Sequence, residues 1–182
     1  MGPARQVFTD ADALIHHLEI LGTLASADHP ALTELDHALQ CADRLRRDWP
    51  GDVELQVAGL LHDLAHPWDG TGQTDHASIG AAAVRPMLGE RVAELIAGHV
   101  EAKRYLVAVT PDYLARLSAD SVATLEAQGG PLSPDEAALF ASRPDRRALV
   151  GLRRADDAAK VPGAVVPGLV GWATTMKELC RP

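Results

Sequence analysis

The segment Leu60-Leu61-His62-Asp63-Leu64-Ala65-His66 places three side chains able to hold a cation at the end of an apolar run, Val57-Ala58-Gly59-Leu60-Leu61. Burying an adjacent imidazole and carboxylate is costly unless a partner satisfies them, and a divalent or trivalent metal ion is a common partner for that pair. Taken alone, the dipeptide reads more simply as a hydrogen-bonded core histidine, so the metal reading depends on partners elsewhere in the chain. Five of the eight histidines fall between His37 and His99. His37, His62, Asp63 and Asp156 each lie in a helical stretch, and His76 and His99 add two further imidazoles. Imidazole with carboxylate suits iron, manganese and related metals better than a sulfur-rich zinc centre would. Six such ligands suffice for two ions, bridged by an aspartate and retaining open positions.

The elements that position these groups are helices. Leucines and alanines recur at three- and four-residue steps over 9–25, with Thr9 as a candidate N-cap, and a second helix spans about 32–48 and carries His37. The third helix, about 52–65, starts at an Asp52 cap, carries the opening segment and ends with the help of Pro67. The loop Trp68-Asp69-Gly70-Thr71-Gly72 precedes a helix near Asp75 to Gly80; a turn at Leu88-Gly89 precedes another over 91–100, where Val92, Leu95, Ile96 and His99 share one inward face. Helical signals continue over 111–117, 118–128, 134–141 and 146–160, broken at Gly129-Gly130-Pro131 and Val161-Pro162-Gly163. No convincing alternating strand, repeat or low-complexity linker is present. The expected fold is all-α: one compact bundle of about eight helices over 1–182, with its motif-bearing core at about 32–163 and termini that fray. His16 and His17, without ligand-spaced partners, read as solvent or interface residues.

Bulk composition excludes several classes. At 182 residues and 47% hydrophobic content the chain can bury one sizeable core. Seventeen basic against 25 acidic residues, a net charge of −8, argue against a polymeric nucleic acid as partner. No apolar run approaches the roughly 20 residues that span a bilayer, and the first residues lead into no signal-peptide core, so a soluble, cytoplasmic protein is expected. Cys41 and Cys180 lack the number and spacing of a disulfide framework or thiolate site and read as reduced thiols.

The order His37, His62-Asp63, Asp156 resembles the H…HD…D order of the HD-domain superfamily. A closer resemblance covers roughly 34–163. The segments Asp36-His37-Ala38-Leu39-Gln40-Cys41-Ala42, Leu60 to His66, Gly98-His99-Val100-Glu101-Ala102-Lys103-Arg104-Tyr105-Leu106, Thr124 to Ser133 and Leu152 to Gly163 are similar to those of the PhnZ-type HD-domain mixed-valent diiron oxygenases. These are relatives of myo-inositol oxygenase that act on small organophosphonates. The resemblance implies that His37, His62, Asp63, His76, His99 and Asp156 ligate an Fe(II)/Fe(III) pair bridged by Asp63, with His62 and Asp63 at the catalytic centre and O2 as co-substrate. It also implies a phosphonate pocket of His66, Lys103, Ser121, Thr124, Gln128 and Arg153. Such a set makes a sensible anion clamp: Lys a point charge, Arg a planar fork, hydroxyls and an amide completing the oxygens. His66, four residues after His62, is expected on the same helical face. One departure stands out. Family members acting on alcohols derived from 2-aminoethylphosphonate carry a Tyr and a Glu ahead of the first ligand; Ala25-Ser26-Ala27-Asp28-His29-Pro30-Ala31 has neither, leaving Asp28 or Glu34 as substitute carboxylates. The loop between Asp63 and His76 is also shorter than in those relatives.

The activity expected is oxidation by O2 of the carbon next to phosphorus in a small organophosphonate, ending in C–P cleavage or hydroxylation. The alternative is the wider superfamily's metal-dependent hydrolysis of a nucleotide or small phosphate ester, in which metals polarise a phosphoryl oxygen and activate water. A third class is a non-catalytic sensor of small anions.

Overall fold

The structure, a computed structural model, describes residues 6–26, 29–68 and 75–180. Nine α-helices and two 3-10 turns occur among these residues. Several starts are set by a side-chain oxygen that accepts from a free amide of the first turn. In α1 (Ala11–Leu21) that oxygen belongs to Asp10, which accepts from the Ala13 amide at 2.8 Å. The cap therefore falls one residue after Thr9, on a group whose charge also favours a helix N-terminus. In α2 (Glu34–Asp48) Thr33 and Asp36 form a reciprocal capping box, and α3 (Val53–Leu61) starts at Asp52.

Helices α4 (His76–Leu88) and α5 (Glu90–Val109) meet at Gly89, whose φ of 86° only glycine adopts without strain. They are followed by α6 (Ala119–Ala127), α7 (Pro134–Ser142), α8 (Arg146–Ala158) and α9 (Leu169–Leu179). Helix α3 packs against α2, α5 and α8, and α8 packs in turn on α2 and α5; α4 lies along α5, and α9 covers α1 and α3. Two glycines permit these close approaches. A Cβ at Gly59 would lie 2.4 Å from Leu45 Cδ1, and one at Gly98 would lie 2.7 Å from Leu149 Cδ2. Each glycine stands beside a histidine of the candidate centre, so tight helix packing and site construction share the same residues.

The structure corrects the sequence reading in several places. The helix expected over 52–65 ends at Leu61, where the Leu64 and His66 amides turn to carbonyls three residues back and a 3-10 turn follows. No α-helix forms over 111–117: Pro111 drives Thr110 to an extended conformation, Asp112 takes φ 58°, and only the 3-10 turn Leu114–Arg116 follows. The helix expected over 91–100 runs on to Val109. The bundle has a ninth helix, α9, where a fraying terminus was expected. Gly171, Thr174 and Thr175 weaken its local signal, and packing of the buried Trp172 and Met176 supplies what propensity lacks. His17 is buried rather than solvent-facing. No described helix is long and apolar enough to cross a membrane. Cys41 and Cys180 are free thiols.

Candidate metal centre and adjoining cavity

Asp63 occupies the tight turn between the end of α3 and the 3-10 turn His66–Trp68. Two i→i+3 bonds, from the Leu64 amide to Leu61 and from the His66 amide to Asp63, fold this turn back on itself. It is tied down from outside by His17, whose Nε2 donates to the Leu64 carbonyl at 2.7 Å and whose ring packs 4.7 Å from that of Trp68. The side-chain oxygens of Asp63 consequently point in two directions. On the Oδ2 side lie His62 Nε2 at 3.1 Å and His37 Nε2 at 3.5 Å, with Asp156 Oδ1 3.4 Å from the latter. On the Oδ1 side lie the Nε2 atoms of His66, His76 and His99 at 3.3, 3.5 and 3.6 Å. The His37 and His62 Nε2 atoms are 3.2 Å apart, and those of His76 and His99 are 3.3 Å apart.

These separations fit metal ligation. Bonds of about 2.0–2.2 Å from nitrogen or oxygen to a common ion set neighbouring donors roughly 3 Å apart. The donor chemistry agrees: nitrogen and carboxylate oxygen, with Cys41 nearby kept a thiol by burial, which pushes its pKa up to about 12. The far nitrogens of three of these histidines are already engaged as ligand orientation requires. His37 Nδ1 donates to Ala159 at 2.9 Å, His62 Nδ1 to Gly59 at 2.9 Å and His99 Nδ1 to Ile96 at 2.7 Å.

The charges are strongly coupled. Burial alone would lower the pKa of His37, but Asp156 and Asp63 override it and raise it to about 9. Burial works against the charge of Asp63 as well, yet His62 and His66 hold this carboxyl well below the usual range. His99 goes the other way: burial and His62 keep it a neutral imidazole. The cluster thus pairs its own carboxylates with imidazolium protons, which a bound cation displaces.

Against this cluster opens a cavity of about 290 Å³. Asp63, His66, His76, His99 and Asp156 form one side; Lys103, Ser121, Thr124, Gln128 and Arg153 form another. Lys103 is 3% exposed, and its Nζ donates to Thr124 Oγ1 at 2.8 Å and to the Ser121 carbonyl at 3.4 Å. Burial and the neighbouring Arg153 lower its pKa to about 8. Arg153 is buried too, bonded through Nη1 to Asp156 Oδ2 at 2.9 Å and through Nη2 to Asp157. Its Nε and the Oε1 of Gln128 are buried with no protein hydrogen-bond partner, which leaves polar capacity for a ligand.

The structure brings all six expected metal ligands and all six expected pocket residues around this one cluster and cavity. His66 reaches it by a different route from the one anticipated. The helix has ended, so a 3-10 turn rather than a shared helical face directs its ring. Of the substitute carboxylates, Asp28 lies outside the described residues, as does the 69–74 part of the loop read as shortened. Glu34 is inside the site: buried on the first turn of α2, it accepts from His66 Nδ1 at 3.1 Å and lines the cavity beside Leu24 and Ala25. Sequence reasoning missed His17. Its position in the buried series Leu14, His17, Leu18, Leu21 is the signal that finds it.

The model of the HD domain matches residues 35–128. The chain is 38% identical over 157 residues, 81% of its length and 78% of the relative's, to the hydroxymethylphosphonate dioxygenase of Gimesia maris. It is 32% identical over 156 residues, 81% of its length and 79% of the relative's, to the glycine-betaine-forming [1-hydroxy-2-(trimethylamino)ethyl]phosphonate dioxygenase of Leisingera caerulea.

Proposed function

Because the chain belongs to the HD-domain family, and within it to the PhnZ-type oxygenases, we propose that it uses O2 to oxidise the carbon next to phosphorus in a small 1-hydroxyalkylphosphonate at a pair of iron ions. The observation that carries this reading is the division of Asp63 between two histidine groups beside a cavity whose facing wall holds two buried cations. The names of both relatives share a hydroxyl on the carbon bonded to phosphorus. Such a substrate offers one end to each wall.

His37, His62 and Asp156 would hold one ion, His76 and His99 the other, with Asp63 between them. When bound, the iron pair supplies redox chemistry with O2 and Lewis acidity for the substrate hydroxyl. Lys103 and Arg153 attract the phosphonate, and Ser121, Thr124 and Gln128 complete its hydrogen bonds. Anchoring that end fixes which C–H bond faces the centre, so binding energy becomes orientation. His66 stands between the two walls and marks where the phosphonate-bearing carbon meets the metal side.

With hydroxymethylphosphonate the balance closes without an external reductant. One O2 breaks the C–P and C–H bonds and gives formate, phosphate and one proton, with one new oxygen in each product. The test is to load the protein with Fe(II) under limited O2, record its electron paramagnetic resonance spectrum, and follow O2 uptake and phosphate release with hydroxymethylphosphonate. An antiferromagnetically coupled mixed-valent signal that changes with the phosphonate, and one phosphate per O2, are expected. Phosphate released from nucleotides or simple phosphate esters without O2 consumption would overturn the reading in favour of hydrolysis.

A further inference from the structure

Around Asp63 Oδ1 three imidazoles converge, and one of them, His66, has no assigned part in holding metal. Its Nε2 lies 3.3 Å from that oxygen, nearer than those of His76 and His99. Asp63, His66 and His76 also offer ligand atoms that all lie within 4.8 Å of one another, matching the grouping of His37, His62 and Asp63 on the other side. Counting His66 makes the two halves equal: one oxygen of Asp63 and three further protein donors each.

The orientation of His66 points the same way. Like His37, His62 and His99, it turns Nε2 to the cluster and uses Nδ1 for a hydrogen bond to oxygen. In His66 that oxygen is the Glu34 carboxylate, which fixes the tautomer with its Nε2 lone pair aimed at the ion and raises the basicity of the ring. A histidine that served substrate alone would need no such alignment with its neighbours. His66 differs from them in exposure, at 26% of its side chain, and in its place on a short turn at the cavity wall.

We infer that His66 ligates the second ion in the substrate-free protein, aimed by Glu34, and gives up that position when the substrate hydroxyl arrives. The inference rests on the two-ion reading above. It assigns Glu34 a positioning role.

Titration of the metal-stripped protein with Mn(II), with unbound ion counted by electron paramagnetic resonance, tests this without turnover. Wild type should take up two equivalents. His66→Ala should keep the first and bind the second more weakly by at least the 10–100-fold typical of a disturbed ligand shell, and Glu34→Gln should show a smaller loss in the same ion. His66→Gln, whose amide preserves a polar side chain in the turn, gives the same readout if the alanine variant does not fold. Unchanged second-ion affinity in the His66 variants, with only phosphonate binding impaired, would overturn the assignment. A wild type that binds a single Mn(II) overturns the two-ion reading instead.

Discussion

The two sides of Asp63 are built differently. On the Oδ2 side His37 and His62 are 1% and 0% exposed, and both are pinned by backbone carbonyls where α2, α3 and α8 pack together. On the Oδ1 side His76 is the first residue of its helix and His66 stands on a 3-10 turn. The His66 Nδ1 is bonded to a side chain, Glu34, where His37, His62 and His99 use backbone carbonyls. The Oδ2 side reaches the cavity only through Asp156; the Oδ1 side, although His99 is buried and held by the Ile96 carbonyl, forms cavity wall with all three of its histidines. This division places rigidity where an ion must stay and adaptability where a substrate must enter, so the ion on the Oδ2 side should bind more tightly.

The largest expected effect comes from removing what the two sides share. Asp63→Asn should weaken both ions and lower kcat/KM by more than the roughly 10–100-fold typical of changes one layer out from a metal. His62→Ala should cost chiefly the first ion and His76→Ala chiefly the second. Metal analysis of the three purified variants checks this, and equal loss of both ions in His76→Ala would erase the distinction between the sides.

The next effect tests the facing wall. Lys103→Met deletes a buried cation, and a charge-assisted hydrogen bond of about 1.5–3 kcal/mol corresponds to a KM raised roughly 10–100-fold. A much smaller change in kcat and no change in metal content should accompany it. A pH profile sharpens the point. Burial and Arg153 lower the Lys103 pKa to about 8, so the ammonium that attracts an anion is present below that pH and lost above it. Phosphonate affinity should fall as pH rises through about 8, and Lys103→Arg should move that limb to higher pH.

The two walls also differ in how much of them the sequence revealed. His62-Asp63 and the histidines around it were legible because metal ligation restricts residue type severely, and the inward face of α5 was legible because Val92, Leu95, Ile96 and His99 keep helical spacing. The helix start at Asp52 follows from local capping chemistry, whereas the Thr33 cap went unnamed and the second helix was expected from about residue 32. The end of α3 was not legible: the Leu64 and His66 amides turn there to carbonyls three residues back, and no periodicity records that change. Glu34 could be named as a stand-in carboxylate, but its pairing with His66, 32 residues away in sequence, depends on how α2 meets the turn. The same holds for His17 and the Leu64 carbonyl, 47 residues apart.

A smaller effect probes the rigid side through packing alone. Gly59→Ala places a methyl against Leu45 between α2 and α3, and relieving that crowding in a close-packed core should cost about 1–3 kcal/mol. Urea unfolding measures the loss. Because the Gly59 carbonyl also accepts from His62 Nδ1, the first ion should loosen more than the second, the reverse of the pattern expected for His76→Ala.

The smallest effect isolates the adaptable side. Thr33 Oγ1 accepts from the Asp36 amide at 3.0 Å, and Asp36 Oδ2 accepts in return from the Thr33 amide at 2.9 Å. Together they fasten the first turn of α2, which carries Glu34. Thr33→Ala removes one half of this box and should lower stability by about 1 kcal/mol. His37, three residues further along, keeps its bond to Ala159 and its packing, so the first ion should hold. The carboxylate that aims His66 rides on this first turn and should drift as the turn frays, weakening the second ion several-fold. Equal weakening of both ions in Thr33→Ala would show that α2 moves as one body and that the two sides of Asp63 share a single rigidity.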